Sequence, residues 1–164
     1  MSKVIELFSA NTPNGWKISI MLEEIGYEYK VNKVDIGNDE QFKPDFLKIS
    51  PFGKIPVIID HESKNSIFES GAILMYLADK SGKFYDQNER LVINQWLMAQ
   101  MGTVGPMIGQ HHQFHHYNPG KSDFGEERYF KITKRIYGEL DERLKESKFL
   151  AGPNYTIADI ATWP

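Results

Sequence analysis

The first half of the chain alternates between strand-like and helix-like spacing of its apolar residues. Residues 3–9 are apolar and β-rich, and residues 16–25 have helical spacing that ends at Gly26. A second strand is predicted over 29–35 and a third, led by a proline, over 56–60. This succession predicts a β-α-β unit with a further strand added to it.

The segments around this unit complete the prediction for the first half. Residues 38–49 are predicted to form a polar loop or a short helix, and 62–65 a hairpin turn before a fourth strand at 66–68. A helix over 72–79 follows and closes at Lys80-Ser81-Gly82. We therefore predict a thioredoxin-like α/β domain over residues 1–82, with helices on both faces of its sheet.

Beyond residue 84 the strand-like pattern stops and only helical spacing remains. Helices are predicted over 89–101 and 126–146, and a third is predicted to start at Thr156, where Asp159 completes a capping box. The fold class is therefore α/β plus all-α, with an all-helical domain over 88–164.

Composition excludes several classes of function. Of the 164 residues, 41% are hydrophobic and 25% charged, which is typical of a globular protein. A net charge of −3 and a pI near 6.0 argue against a nucleic-acid partner, and no apolar run reaches membrane-spanning length. We expect a cytoplasmic protein. The absence of cysteine excludes a catalytic protein thiol and a zinc–thiolate site, so any sulfur chemistry must use a thiol that the ligand brings.

Two neighbouring motifs predict a binding site for an extended peptide ligand. Pro56 begins a strand and holds Ile55 extended, so the backbone N–H and C=O of Ile55 are expected to face a ligand as a sheet edge does. Glu69 and Ser70 open a helix, where free N–H groups and the Ser70 hydroxyl favour a carboxylate and Glu69 can hold an ammonium group.

Thr12 and Asn14 lie between the first predicted strand and helix, where open α/β sheets place ligands. Their hydroxyl and amide groups, together with the helix N-terminus, can stabilise a thiolate. One charge-assisted hydrogen bond is enough to lower a thiol pKa by about one unit. On spacing alone, an interpretation of Thr12 and Asn14 as turn and cap residues stays open.

Four histidines form the most conspicuous cluster of the second half. His111 and His115, like His112 and His116, are one helical turn apart and have the spacing of a metal-binding pair. No carboxylate or cysteine in the run completes a metal site, so we predict no metal. The alternative is a helix end that lines a pocket for a second substrate.

The motifs as a whole resemble the glutathione S-transferase superfamily. The run SPFGKIPVIID…IFESGAILMYLA is similar to its glutathione-binding domain. The segments TPNG (12–15), QWL (95–97), GPMIGQ (105–110) and NYTIAD (154–159) resemble its Nu class and the transferase-like domain of yeast's nitrogen-regulatory prion protein. In that family more helices follow the one starting at Thr156, so the helical domain is expected to be incomplete.

The resemblance implies a role for each site residue. It implies a cis peptide bond before Pro56, catalytic roles for Thr12 and Asn14, and no metal. The implied glutathione contacts are Asn14 at the thiol, Gln41 and Lys54 at the glycyl end, Ile55 at the cysteinyl backbone, Glu69 and Ser70 at the γ-glutamyl end, and Arg128 from the helical domain. Without the family, Arg128 is a typical solvated residue of a charged helix.

Two functional hypotheses follow from the resemblance. The first is an enzyme with glutathione as co-substrate, which reduces small disulfides, conjugates electrophiles and has possible peroxidase activity. The second is a non-catalytic glutathione-binding module that acts through a protein partner. Its yeast example carries a Gln/Asn-rich extension, whereas this chain begins at the first strand. The resemblance also implies a homodimer.

Overall fold

The computed structural model describes residues 5–164. The first elements are β1 (Ile5–Ser9), α1 (Pro13–Ile25), β2 (Tyr29–Lys33), two 3₁₀ turns (Ile36–Asn38 and Glu40–Phe42), α2 (Pro44–Leu47), β3 (Val57–Asp60), β4 (Asn65–Phe68) and α3 (Ser70–Ser81). They are followed by α4 (Arg90–Ala99), a π turn (Gln100–Val104), α5 (Gly105–His112), a second π turn (Gln113–Tyr117), α6 (Asp123–Glu146) and α7 (Ile157–Thr162). Residues 3 and 4 of the first predicted strand lie outside the described range.

The four strands form one mixed sheet in the order β2-β1-β3-β4. β1 runs parallel to β2 and antiparallel to β3, so Leu7 faces Val31 on one side and Ile58 on the other. β4 pairs with β3 as an antiparallel hairpin. This β-α-β unit with an added hairpin and a closing helix confirms the predicted thioredoxin-like fold.

Alternating side chains of β1 serve two faces of the sheet. Ile5 and Leu7 are fully buried, whereas Phe8 packs edge-on against Phe46 of α2, with ring centroids 6.4 Å apart. α1 packs against α3 through apolar residues of both helices. Buried apolar residues therefore support β1 and β3 at the ends where the segments described below meet.

Capping residues set the bounds of α1. The helix starts at Pro13, three residues before the predicted start, because the Thr12 side chain accepts a hydrogen bond from the Gly15 N–H and caps it. It ends as predicted at Gly26, which is left-handed with φ 76°.

The helical half contains one element that the sequence prediction missed. The prediction of a helix ending at residue 101 was wrong, since helical structure continues to Tyr117 through the π turns around α5. In the sequence, Pro106 suggests that the helix ends, because proline lacks the N–H that an α-helical hydrogen bond requires. The π turn accommodates it, with the Gly105 N–H donating to the Gln100 carbonyl five residues earlier.

The predicted capping box at the start of α7 is confirmed. Thr156 Oγ1 accepts a hydrogen bond from the Ala158 N–H, and the Asp159 carboxylate accepts one from the Thr156 N–H. Asp159 also accepts from the Leu150 N–H at 2.9 Å. The capping box therefore ties the start of α7 to the preceding loop.

The chain forms two compact units. One runs to Asp86 and includes Trp163 and Pro164, and the other spans Gln87–Thr162. In the second unit α4 packs against α7, and their facing residues Ile93, Leu97, Ile157 and Ile160 are fully buried. Over residues 5–164, no helix combines the length and apolar character needed to cross a membrane.

Candidate functional site

One cleft of about 130 Å³ lies in the first unit, where three segments of the chain meet. It is lined by Asn14, Ser50, Phe52, Lys54, Ile55, Pro56, Phe68, Glu69 and Ser70. The structure thus brings together six of the predicted site residues. Thr12 and Gln41 lie next to lining segments without lining the cleft, and Arg128 belongs to the second unit.

The first segment is the start of α1. Thr12 Oγ1 accepts from the Gly15 N–H at 3.3 Å, which leaves the hydroxyl proton of Thr12 available for a further acceptor. Asn14, in the first helical turn, is exposed and contributes to the cleft wall. No acidic residue occupies this first turn, so the positive end of the α1 dipole is not neutralised within the helix.

The second segment is the loop that leads into β3. The Ile55–Pro56 peptide bond is cis. Ile55 packs its side chain against the buried cluster of Val34, Phe46 and Val57. Among residues 5–164, no hydrogen bond is made by the Ile55 N–H or C=O, so both groups are available to a ligand.

Ser50 fixes the conformation of this loop. Its hydroxyl accepts from the Lys54 N–H at 3.0 Å and donates to the Lys54 carbonyl at 2.7 Å. The Gly53 N–H also donates to the Ser50 carbonyl at 2.9 Å, which closes a turn with Pro51 at its second position. The sequence analysis missed Ser50, although the Ser-Pro-x-Gly pattern signals this turn.

The third segment is the start of α3. Glu69 occupies the N-cap position of α3 without a side-chain capping hydrogen bond, and its side chain is exposed. Its φ of 69° and ψ of 117° are a backbone conformation that non-glycine residues rarely adopt. Ser70, the first helical residue, is buried at the cleft wall. Strain of this kind is concentrated at ligand-binding sites, where surrounding structure maintains it.

Gln41 lies beside the second segment. Its Nε2 donates to the Ile36 carbonyl at 3.4 Å, while its Oε1 is buried and makes no hydrogen bond with residues 5–164. The Phe42 ring and the Gln41 carbonyl approach Gly53 so closely that a Cβ on Gly53 would lie 2.7 Å from the ring and 3.0 Å from the carbonyl oxygen. Gln41 is therefore held against the loop that carries Lys54.

The predicted residues of the second unit lie on three elements, which are α5, the second π turn and α6. Arg128 is exposed on α6. The histidine rings stack in pairs along the α5 segment, His111 on His115 at 5.2 Å and His112 on His116 at 4.6 Å between ring centroids. Within the part of the chain that the structure describes, no three His, Cys, Asp or Glu side chains are placed to hold a metal ion.

Two aromatic residues of the cleft were also missed. Phe52 is 71% exposed and Phe68 is 37% exposed, although both line the cleft. In the sequence they resemble ordinary apolar residues of a loop and a strand, because their exposure depends on the fold. Aromatic side chains at the rim of a polar cleft offer contact area for the apolar parts of a ligand.

Comparison with known proteins agrees with this geometry. The glutathione S-transferase N-terminal domain matches residues 3–79. The chain is 49% identical over 168 residues to the Escherichia coli disulfide-bond oxidoreductase YfcG, covering 98% of this chain and 78% of YfcG. It is 36% identical over 155 residues to the Saccharomyces cerevisiae transcriptional regulator URE2, covering 87% of this chain but only 43% of URE2.

Solved structures give the same result. A glutathione transferase family member from Pseudomonas fluorescens, crystallised with two glutathione molecules bound, superimposes with a TM-score of 0.92 at 45% identity. The match covers 98% of this chain and 74% of that protein. The resemblance noted in the sequence is confirmed, and the chain belongs to the glutathione S-transferase family.

Proposed function

We propose that this chain is a glutathione-dependent disulfide reductase and transferase that binds glutathione in the cleft of its first unit. The N–H and C=O of Ile55 make no hydrogen bond with residues 5–164, in a cleft that the N-termini of α1 and α3 also line, and this is the observation that carries the proposal. An extended peptide pairs with such a backbone edge, and helix N-termini bind anionic groups. The similarity to the disulfide-bond oxidoreductase YfcG and to the Pseudomonas glutathione transferase family member, which binds two glutathione molecules, supports the same chemistry.

The proposed contacts follow the length of the tripeptide. Ile55 pairs with the cysteinyl backbone, while Ser70 and the α3 amides bind the γ-glutamyl carboxylate and Glu69 binds its ammonium group. Lys54 and Gln41 meet the glycyl end, where an N–H group of the ligand would donate to the buried Gln41 Oε1, which makes no hydrogen bond with residues 5–164. Arg128 is proposed as a contact from the helical domain.

The thiol of the bound tripeptide would then meet Thr12 and Asn14. In the proposed cycle the glutathione thiolate attacks one sulfur of a disulfide, the S–S bond breaks, and the leaving thiolate takes a proton from solvent. A second glutathione thiolate attacks the resulting mixed disulfide and releases oxidised glutathione. Both electrons come from the two glutathione molecules, which agrees with the absence of cysteine in these 164 residues.

Several further properties are proposed on the same basis. Conjugation of electrophiles and reduction of peroxides would use the same thiolate. The glutathione-binding domain is proposed to span 1–82 and the helical domain 88–164, which the two compact units support. A homodimer is proposed by analogy with the family. The cytoplasm is the proposed compartment because its glutathione pool is kept reduced.

The similarity to URE2 favours a second candidate, a regulatory module that binds glutathione without turnover. It differs from the first in one observable property, since it predicts saturable glutathione binding without disulfide reduction.

A coupled assay of glutathione-dependent reduction of a small model disulfide distinguishes the two candidates. We expect saturable turnover in the wild-type protein and at least a tenfold loss in Asn14→Ala, because one hydrogen bond to a charged group contributes about 1.5–3 kcal/mol. Lys48→Met, at an exposed position whose ion pair among residues 5–164 is with Asp45, is the control and should keep wild-type turnover. Binding of glutathione without reduction of any disulfide, peroxide or electrophile would favour the regulatory module.

A further inference from the structure

Lys17 is a buried cation that the mechanism above does not use. It lies in the second turn of α1, and only 2% of its surface is exposed. Lysine is rarely buried to this extent unless it is paired. Within residues 5–164, however, no carboxylate forms an ion pair or hydrogen bond with its ammonium group.

The acidic residues of α1, and of α3, which packs against it, lie toward the C-terminal ends of these helices. Glu23 and Glu24 of its own helix are exposed near the opposite end. α1 packs against α3, whose charged residues Asp79 and Lys80 lie near its C-terminal end, and Lys80 is bound to other carboxylates. Burial lowers the pKa of Lys17 to about 8, so most molecules still carry the charge at neutral pH.

The position of Lys17 within α1 is also unfavourable for a cation in the empty protein. A positive charge near a helix N-terminus is repelled by the helix dipole, and no acidic residue in the first turn of α1 offsets it. Burial, the missing counter-ion and the dipole all disfavour the same charge. An anion bound at the start of α1 would instead stabilise the charged form of Lys17.

Helix geometry allows the Lys17 side chain to approach the start of α1. Lys17 follows Asn14 by three residues, so the two lie on neighbouring positions of one helix face. Side chains in helices lean toward the N-terminus, and a lysine side chain is long enough to reach back about one turn. Asn14 itself lines the cleft.

We propose that Lys17 is a fixed positive charge of the thiol site, which lowers the pKa of the bound glutathione thiol without contacting its sulfur. The inference rests on the proposed function. The thiol loses its proton to solvent, and no bond forms to Lys17. A unit charge about 10 Å from a titrating group shifts its pKa by about one unit at an effective dielectric constant of about 20.

The first test compares Lys17→Met with Lys33→Met, which removes the same charge from an exposed position. The pKa of the bound thiol is measured from the ultraviolet absorbance of the thiolate. We expect it to rise by about one unit in Lys17→Met, with about a tenfold loss of turnover below that pKa. Affinity for S-methylglutathione, which has no ionisable thiol, should stay within about twofold of wild type in both variants.

A second test uses the wild-type protein alone, so it does not depend on the folding of a variant. Because linkage is reciprocal, a bound thiolate must raise the pKa of Lys17 by as much as Lys17 lowers that of the thiol. NMR titration of lysine labelled at the ε-carbon should therefore give a higher Lys17 pKa with glutathione than with S-methylglutathione.

The outcomes separate this proposal from the one on which it rests. A wild-type protein that does not bind glutathione would overturn both. If the wild-type protein and Lys17→Met lower the thiol pKa equally, only the role of Lys17 is overturned. Equal Lys17 pKa values in the two wild-type complexes would overturn that role as well.

Discussion

The Thr12 side chain has two tasks that a single hydroxyl group can combine. As an acceptor it caps α1 through the Gly15 N–H, and as a donor its proton is available to the proposed thiolate. A cap of this kind contributes about 1 kcal/mol to stability. Substitution by alanine would remove both tasks together, so it cannot tell them apart.

Thr12→Asp separates the two tasks. Aspartate is an equally good cap, but it offers no donor when ionised and repels a thiolate. We expect the urea-unfolding free energy to stay within about 0.5 kcal/mol of wild type while the thiol pKa rises and turnover falls more than tenfold. Thr12→Ser, which keeps both functions, is the control. Unchanged turnover in Thr12→Asp would show that Thr12 is a cap alone.

At the scale of the element, the start of α1 is packed closely against the end of β1. A Cβ placed on Gly15 would lie 2.2 Å from Ser9 Oγ and 2.6 Å from the Ala10 carbonyl oxygen. Contacts this short with backbone cannot be relieved by rotating a side chain. Glycine at this position therefore allows the helix N-terminus to approach the sheet and reach the cleft.

Gly15→Ala is expected to push the start of α1 away from β1. We predict a loss of about 1–3 kcal/mol in unfolding free energy, as for other overpacked sites, and weaker activity because Thr12 and Asn14 move with the helix. Gly138→Ala is the matched control, since nothing lies within 4 Å of its added Cβ in α6, and it should gain about 0.5–1 kcal/mol. Equal stability of the two variants would contradict the close approach.

The helices and strands also differ in how far sequence patterns predict them. Spacing and punctuation predicted α1, β3, α3 and α6, since α1 and α3 end at a glycine, β3 follows a proline and α6 has helical apolar spacing. The continuation through α5 was missed because Pro106 suggests a break, and a π turn that accommodates it has no pattern of its own. Asn14, Glu69 and Ser70 stand at predicted element starts, whereas the burial of Lys17 depends on which helix face the other elements cover.

At the scale of the whole molecule, Asp60 joins the β3–β4 hairpin to α3. Its buried carboxylate accepts from the Tyr76 hydroxyl at 2.5 Å and Lys80 Nζ at 2.6 Å, and also from the backbone amides of Glu62 and Ser63. Burial opposes ionisation, but these four hydrogen bonds outweigh it and lower the pKa of Asp60 to about 2. Ionised Asp60 therefore stabilises the first unit.

This coupling makes a prediction for acid stability. Because the pKa is lower in the folded than in the unfolded state, the stabilisation is complete above about pH 4 and is lost as the pH falls toward 2. Chemical unfolding followed from pH 7 to pH 2 should show a loss of about 2 kcal/mol from this group. Asp60→Asn should be destabilised at pH 7 and show a smaller change over that interval. Asp45→Asn, at a carboxylate 92% exposed, should behave as wild type.

Ile55 offers the proposed ligand its main chain while its side chain fills the core beside Val57. No substitution at position 55 removes the peptide C=O, and only proline removes the N–H. The position should therefore accept leucine, valine or methionine with little change in glutathione affinity. Among distant relatives, side-chain identity at this position can drift with the packing of the core while the ligand contact persists.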